Sequence, residues 1–320
     1  MRRNTFTLAF SILLLLTVTV RADRFSDLWY DGNAELSTYR LREMRYGEPR
    51  DGVRIMVFVT EPMRLRTHIK PDTALPDSLE IPVFKLNDLR KFATGIYDYS
   101  VMTSVFSAVE AAHGHPLWSD MKVAFTSQEW CGTVFERTVR NRESYDGVLY
   151  SYFESEGEQR FSLPADSAVQ TEDGLWVRIR ELRGPRMTQG QERHLRVIPS
   201  AWSRRKTHET PRLMDVVLRR HGTEELSTAL GAVDAAKFTW TIEGQTTSVW
   251  VETAYPHRIL AWKEPDGSSG AIMASQREPY WKQNGNGDES LRRMLELAPD
   301  RKAFRWPWEP KQKPYLSTVP

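Results

Sequence analysis

The sequence predicts a mainly β fold with minor α content, in which curved antiparallel sheets form an open, barrel-like architecture closed by one or two helices. Three observations predict it: runs in which apolar and polar residues alternate, short Gly-containing turns between those runs, and a length of 320 residues that allows a large core. Strand–helix–strand alternation does not recur, which argues against a parallel doubly wound sheet. A long sheet must curl, split or be covered, because its apolar face and its edges otherwise remain in water.

Residues 1–22 have the pattern of a secretory signal peptide. Two arginines precede an apolar run from about Leu8 to Val20, and Val20-Arg21-Ala22 resembles a cleavage site. The run is shorter than the roughly 20 residues that a membrane-spanning helix needs, and no Cys follows the cut to accept a lipid. We therefore expect a periplasmic or secreted protein that begins near Asp23 and has no transmembrane span.

The charge balance is nearly neutral. The chain has 44 Lys and Arg against 42 Asp and Glu, and three of the arginines lie in residues 1–22, so the remainder has 41 against 42. A general nucleic-acid binder should show a field of one sign, and we expect no nucleic-acid partner. The single cysteine, Cys131, excludes an intramolecular disulfide and a Cys-based zinc site. Free Cys is usually buried, which makes a buried side chain the first interpretation and a reactive thiol the second.

Residues 23–185 form the first predicted half, which is rich in β-strands. Its apolar strand faces are Val53, Ile55, Val57 and Val59; Met121, Val123 and Phe125; and Val148, Tyr150 and Tyr152. A helix is predicted from about Ser167 to Arg183, because Leu175, Ile179 and Leu182 share one helical face.

Residues 186–299 form the second predicted half, a β-meander with a short helix. Phe238, Trp240 and Ile242 alternate with polar residues in its first strand. Its strands are predicted near 237–243, 246–252, 258–264 and 270–277. The helix begins at Asp288 as N-cap and ends before Pro299. We favour one continuous β architecture over two small domains, followed by a Pro- and Trp-rich tail at 300–320.

Several ordered segments resemble a group of exported bacterial proteins of unknown function. They include Trp29-Tyr30-Asp31-Gly32, Ser127-Gln128-Glu129-Trp130-Cys131-Gly132, Ser151-Tyr152-Phe153-Glu154-Ser155-Glu156-Gly157 and Leu175-Trp176. The similarity spans about residues 27–183, and members are often labelled "septum formation inhibitor Maf". The label looks like a misnomer, because true Maf proteins resemble cytosolic nucleotide pyrophosphatases with a Ser-Pro-Arg-Arg segment, which this chain lacks. The meander at 227–282 resembles the tail of another exported family of unknown function. The resemblance implies export and a β-rich fold rather than a reaction.

Three carboxylates are the candidate catalytic group. Glu129, Glu154 and Glu156 lie on adjacent predicted β elements, where they would gather around one cleft as acid–base or glycoside-hydrolysing carboxylates do, with His113 or His115 assisting. The alternative is that the neighbouring aromatic residues pack inward while the carboxylates face water or pair with arginines.

Two histidines have the spacing of metal ligands, but the pattern is incomplete. His113-Gly114-His115 with Asp120 nearby would suit zinc. No motif places a third histidine, so we predict no metal site and no cofactor. The run Ser203-Arg204-Arg205-Lys206 is interpreted as a solvated loop.

Five aromatic residues are the candidate ligand-binding residues: Trp130, Tyr152, Trp240, Trp250 and Trp262. The last three lie on neighbouring predicted strands, where they either line a cavity for one apolar ligand or pack as core. No nucleophile motif or phosphate-binding Gly loop is present. We therefore expect a non-catalytic exported protein that binds a lipid or other apolar small molecule, or an envelope protein. The alternatives are an exported hydrolase that uses the clustered Glu residues and a purely structural domain.

Overall fold

The computed structural model describes residues 23–74, 76–184 and 186–297, and fifteen strands within them form one sheet. The predicted signal peptide at 1–22 and the predicted tail at 300–320 lie outside the described residues. The strands are β1 (Ala34–Arg45), β2 (Glu48–Arg64), β3 (Glu80–Thr94), β4 (Tyr97–Ala108), β5 (Asp120–Glu129), β6 (Gly132–Arg140), β7 (Ser144–Ser151), β8 (Glu158–Pro164), β9 (Val169–Thr171), β10 (Glu192–Ile198), β11 (Met214–Thr228), β12 (Gly231–Ile242), β13 (Gln245–Glu252), β14 (Ile259–Lys263) and β15 (Ser269–Glu278). The helices are α1 (Arg24–Trp29), α2 (Glu172–Arg178) and α3 (Ala201–Thr207), with 3-10 helices at Asp77–Leu79, Tyr280–Lys282 and Asp288–Leu295.

The sheet consists of two meanders that meet where β1 pairs with β15. Its order is β8-β7-β6-β5-β4-β3-β2-β1-β15-β14-β13-β12-β11-β10-β9. Strands β1 to β8 and β10 to β15 each pair antiparallel with the next strand along the chain, whereas β9 runs parallel to β10. Residues from both predicted halves therefore share one sheet. Antiparallel neighbours need only short turns, which explains the Gly-containing hairpins of the sequence.

The sheet curls until it is nearly closed into a barrel, and this confirms the predicted mainly β, barrel-like fold class. Arg140 of β6 donates hydrogen bonds to the carbonyl oxygens of Ala165, Asp166 and Val169, next to or within β9. These bonds join the two ends of the sheet. On the inner face, α2 packs against β4, and α3 packs against β4 and β5. These two helices thus lie inside the curled sheet.

Charged side chains lie among the aromatic ones on the inner face of β1, β2 and β3. Tyr39, Arg54 and Arg90 are paired in register across these strands. Arg54 is fully buried and donates hydrogen bonds of 2.6 and 2.7 Å to the two carboxylate oxygens of Asp88. Arg90 donates one of 2.9 Å to Glu43. Charges that leave water need such partners, so the interior combines an apolar core with a paired polar band.

The valine face of β2 is partly buried, as an apolar strand face predicts, but it is not the face that lines the interior of the sheet. Met56 and Phe58 belong to the main core, whereas Val57 and Val59 pack in a separate cluster on the other side of the sheet. The 3-10 helix Asp288–Leu295 covers that outer side, where it contacts β1 and β15. Because β2 is buried on both faces, alternation of residue types does not show which face is the inner one.

The helices differ from prediction in extent and number. The predicted helix from Ser167 to Arg183 is divided into strand β9 and the shorter helix α2, and α1 and α3 are not predicted. The predicted helix at Asp288 is a 3-10 helix with Gly287, not Asp288, as its N-cap. In the part of the chain that the structure describes, every helix is too short or too polar to cross a bilayer.

Candidate functional site

A cleft lies between α2, α3, the strands β11 to β13 and the turn between β14 and β15, and we call it the tryptophan cleft. Its walls include Trp176, Trp202 and Trp240, and its polar groups include Arg90, Lys206 and Glu264. The cleft has a volume of about 390 Å³. Small-molecule sites typically occupy about 300–1,000 Å³ and combine aromatic walls with a few polar groups.

The indole rings of the cleft are fixed by their own contacts. The rings of Trp176 and Trp240 pack edge to face, with centroids 5.5 Å apart and planes at 84°. Trp240 donates its Nε1–H to Glu172 at 2.9 Å, and Trp202 donates its Nε1–H to Glu43 at 2.8 Å. A buried indole N–H needs an acceptor, and both of these rings have one. The aromatic walls are therefore formed before any ligand arrives.

The charged groups at the cleft are paired with one another. Arg90 donates hydrogen bonds to Glu43 at 2.9 Å and to Glu264 at 3.0 Å. Lys206 donates to Asp266 at 2.5 Å and lies 3.4 Å from Glu43. Two cations thus face three carboxylates. The cleft offers several hydrogen-bonding groups without a strong field of one sign.

Arg54 supports the cleft from behind. Its guanidinium carbon lies 4.1 Å from the ring centroid of Trp176 and 4.4 Å from that of Trp262. The two hydrogen bonds to Asp88 fix the plane of the guanidinium. Cation–π contacts that are removed from water contribute about 2 kcal/mol. The position of Trp176 in the cleft therefore depends on a buried ion pair in β2 and β3.

Two carboxyl groups of the cleft have pKa values shifted in opposite directions. Burial raises the pKa of Glu172, and the hydrogen bonds that its carboxylate accepts from the Ser200 N–H and a neighbouring indole only partly oppose this. Burial alone would also raise the pKa of Glu264, but Arg90 and Lys206 lower it below its ordinary value. Carboxyl pairs whose environments separate their pKa values are the usual arrangement for an acid and a base.

The two helices at the cleft are joined through their caps. Thr171 caps α2 by accepting a hydrogen bond from the Gly174 N–H at 2.9 Å. Asp173, in the first turn of α2, accepts hydrogen bonds from the Ser200 Oγ at 2.8 Å and the Ala201 N–H at 3.3 Å. A carboxylate at a helix start binds N–H groups that have no partner within the helix. These hydrogen bonds therefore fix the start of α3 against α2, and with it the relative positions of Trp176 and Trp202.

The three predicted catalytic carboxylates do not line the tryptophan cleft. Glu129 accepts a hydrogen bond from the Cys131 N–H at 2.6 Å, within a turn. Glu154 is exposed to solvent. Glu156 is hydrogen-bonded to Nδ1 of His208, beyond the end of α3. The Cys131 thiol in the same region is exposed, which contradicts the expectation of a buried cysteine.

The histidine pair and Asp120 have separate environments. His113 is exposed, with Nε2 3.2 Å from the Glu80 carbonyl oxygen, whereas His115 is buried. Asp120 is buried and accepts hydrogen bonds from the N–H and the hydroxyl of Thr171 at 2.9 Å. Within residues 23–297, as far as they are described, no group of three or more His, Cys, Asp or Glu side chains is arranged to hold a metal ion.

The five predicted ligand-binding aromatics lie in three places. Trp240 lines the tryptophan cleft. Trp262 is buried behind it, with its ring in edge contact with that of Trp176. Trp250 lies on the opposite face of β13 from the buried Val249. Trp130 and Tyr152 lie on turns, where they are 70% and 61% exposed.

Sequence reasoning assigned the run Ser203-Arg204-Arg205-Lys206 to a solvated loop, and this is wrong. The run lies in α3, where Arg204 and Arg205 are buried. Arg204 is paired with Glu136 of β6 at 2.5 Å. The three consecutive cations of this seven-residue helix are paired with carboxylates that are distant in the sequence.

Arg90, Glu264, Trp176 and Trp202 line the cleft but were not predicted as site residues from the sequence. One signal was available for Arg90, since it occupies the same alternating phase of β3 as the buried Leu86 and therefore faces the interior. A charged residue at an inward position of a strand indicates either a partner or a site. Nothing local to the sequence identifies Trp202, which belongs to the cleft only because α3 lies against β4 and β5.

Comparisons with known proteins gave no match. No family model matches this chain, and no characterised protein or solved structure is significantly similar to it. The resemblance to the exported proteins labelled as Maf stays a prediction.

Proposed function

We propose that this chain is a non-catalytic, exported binding protein whose tryptophan cleft holds a small molecule with an apolar, ring-shaped body. The observation that carries the proposal is the set of three fixed indoles, Trp176, Trp202 and Trp240, around a cavity of about 390 Å³. Flat aromatic walls stack on rings and exclude water from an apolar body.

The paired charges refine the ligand class. Arg90 and Lys206 each have carboxylate partners, so neither needs a ligand charge for neutralisation. Opposed donors and acceptors near the mouth, such as Gln245 and Glu243, orient a polar substituent rather than bind an ion. A mostly apolar molecule with one or two polar groups fits this wall better than a pure hydrocarbon.

Export is part of the proposal, and its support is the amino-terminal sequence pattern. Expression of the whole chain in a bacterial host, followed by cell fractionation and intact-mass analysis, tests it. We expect a periplasmic product that begins near Asp23. Accumulation of the unprocessed chain in the cytoplasm would contradict export without affecting the cleft.

The binding proposal is tested with native mass spectrometry and with the fluorescent probe anilinonaphthalene sulfonate. We expect the purified protein to retain a small molecule, or, once emptied, to bind the probe. Trp240→Leu should weaken probe binding, because it changes the shape of the cleft wall and removes the hydrogen bond that the indole Nε1–H donates to Glu172. Trp250→Leu is the matched control, because Trp250 lies on the other face of the sheet. Equal effects of the two substitutions would contradict the assignment.

A second candidate function is acid–base hydrolysis in the same cleft. The opposite pKa shifts of Glu172 and Glu264 favour it, with Glu172 as proton donor and Glu264 as the ionised base. A panel of chromogenic esters and glycosides provides the assay. Turnover that is lost in both Glu172→Gln and Glu264→Gln, with probe binding retained, would establish catalysis. Absence of turnover in the unchanged protein would leave the binding function.

A further inference from the structure

Four alternate hairpins of the first meander present their turns along one rim. Strands β1 to β8 form an antiparallel meander, so alternate turns lie at the same end of the sheet. We call the turns at 46–47, 95–96, 130–131 and 152–157 the hairpin rim. Neighbouring turns are in contact. The rings of Tyr97 and Trp130 have centroids 6.4 Å apart, and the Tyr152 side chain packs against Gly132, where a Cβ atom would clash with it.

Each turn of the hairpin rim carries a large hydrophobic side chain exposed to solvent. Ile96 is 85% exposed, Trp130 70%, Tyr152 61% and Tyr46 59%. These are the four most exposed large hydrophobic side chains among the described residues. Scattered exposed aromatics need no explanation, but four at adjacent turns form one apolar surface. Tyr and Trp are the residues that most often dominate the affinity of protein interfaces.

The same rim is acidic. Within the four turns and two residues on either side of each, the chain has Glu48, Asp98, Glu129, Glu154, Glu156 and Glu158 against a single basic residue, Arg45. Arg45 is buried, with its guanidinium carbon 4.3 Å from the ring centroid of Tyr46. Glu48 is paired with Arg50 at 2.6 Å and Glu156 with His208, so among the described residues the rim carboxylates without an ion pair are Asp98, Glu129, Glu154 and Glu158.

We propose that the hairpin rim is a docking surface for a cationic, Arg- and Lys-rich polypeptide segment of another protein. Carboxylates attract the positive charges, and the exposed rings accept them in cation–π contacts, as the Tyr46 ring accepts Arg45. A membrane surface fits less well, because inserting Trp130 into a bilayer would bring Glu129 and Glu154 out of water, and anionic lipids would repel them.

The test uses the whole chain and three labelled peptides: deca-arginine, deca-lysine and deca-glutamate. Fluorescence anisotropy measures the dissociation constants at several salt concentrations. We expect deca-arginine to bind more tightly than deca-lysine, because guanidinium groups stack on aromatic rings, and we expect no binding of deca-glutamate. Deca-arginine should also protect the exposed Cys131 thiol from alkylation, because Cys131 lies in one of the four turns of the rim.

Substitutions separate this surface from non-specific attraction. Trp130→Ala should weaken deca-arginine binding about threefold, and a triple variant with Ile96→Ser and Tyr152→Ser about tenfold or more, since exposed cation–π contacts are individually small. Trp281→Ala is the matched control, an exposed tryptophan on the 3-10 helix Tyr280–Lys282. Glu154→Gln should weaken binding and reduce its salt dependence.

Three outcomes would overturn the proposal. The first is that deca-arginine does not bind. The second is that the triple variant binds the peptide as tightly as the unchanged protein, which would show non-specific charge attraction. The third is that binding of phosphatidylcholine vesicles requires Trp130 whereas binding of deca-arginine does not require it, which would make the rim a membrane contact.

Discussion

The buried pair of Arg54 and Asp88 offers a direct test of how the interior is held together. We predict that Asp88→Asn destabilises the protein strongly, because it keeps the shape of the side chain but removes the charge that neutralises Arg54. The Arg54 side chain is fully buried and that of Asp88 is 10% exposed. The guanidinium therefore has little access to water that could replace the lost carboxylate.

The expected size of the effect follows from the geometry. Asp88 accepts two charge-assisted hydrogen bonds, of 2.6 and 2.7 Å, and Asn has only one acceptor oxygen for them. Removing one partner of a buried ion pair typically costs about 3–5 kcal/mol. We expect a loss near the lower value, about 3 kcal/mol, because the rings of Trp176 and Trp262 continue to contact the cation.

Urea and thermal unfolding measure the loss of stability in Asp88→Asn. A loss of about 3 kcal/mol corresponds to a decrease of about 5 °C in Tm for a chain of this size. The matched control is Glu243→Gln, which breaks the exposed pair with Arg212, where both oxygens accept hydrogen bonds at 3.0 and 3.2 Å. An exposed pair contributes about 0–1 kcal/mol, so this control should change Tm little.

A double variant tests whether the burial of an unpaired charge causes the loss of stability. Arg54→Met with Asp88→Leu removes both charges and leaves an apolar side chain between Trp176 and Trp262. Replacing a buried pair by apolar groups is often neutral, so we expect stability within about 1 kcal/mol of the unchanged protein. The reasoning is refuted if Asp88→Asn costs less than about 1 kcal/mol. It is also refuted if the double variant is as unstable as the single one.

Three further predictions concern other parts of the molecule. Gly174→Ala should cost about 3 kcal/mol in urea unfolding despite the higher helix propensity of Ala, because the added Cβ would lie 2.0 Å from Oδ2 of the buried Asp120. Burial and two nearby arginines lower the pKa of His257 in the folded protein. As the pH drops below about 6.5, this residue therefore takes up a proton in the unfolded chain before it does so in the folded protein, and stability should fall. His257→Gln should flatten that dependence in Tm measurements between about pH 7 and pH 5, and an unchanged slope would contradict it. A hydrogen bond and the charge of Glu129 raise the pKa of the Cys131 thiol, so Glu129→Gln should speed maleimide alkylation near neutral pH, and an equal rate would show that Glu129 does not control the thiol.

The strands could be predicted because alternation is a local property of the chain. Met121, Val123 and Phe125 are buried in β5, and Phe238 and Trp240 are buried in β12, as their spacing predicts. The four strands of the C-terminal meander also lie close to their predicted positions. In each case one apolar face meets the core and the other face is more exposed, which is the condition that period-two reasoning assumes.

Prediction failed where contacts distant in sequence decide the local structure. The expected helix from Ser167 begins instead as strand β9, because Val169, Gln170 and Thr171 pair with β10. The cations of α3 look solvated in the sequence, since the carboxylate that neutralises Arg204 belongs to β6. Propensity gives way to tertiary pairing in both cases.

The tryptophan cleft could not be predicted for the same reason. Of its three indoles, only Trp240 lies on a strand that alternation identifies, whereas Trp176 and Trp202 lie on short helices inside the sheet. Trp240, Trp250 and Trp262 look equivalent in the sequence. Only the structure shows which face of the sheet each of these side chains lies on, because successive residues of a strand face opposite sides of a sheet.

By itself, the sequence determined a β-rich chain of hairpins with enough aromatic residues for a large interior. Those properties depend on residue types and spacings within about ten positions, and strand alternation reports them directly. The tertiary structure decided which charges are buried together, such as Lys206 with Glu43, whose positions are 163 residues apart. The free energy of a buried charge depends on its partner and on the loss of water, and only the closed sheet brings those partners together.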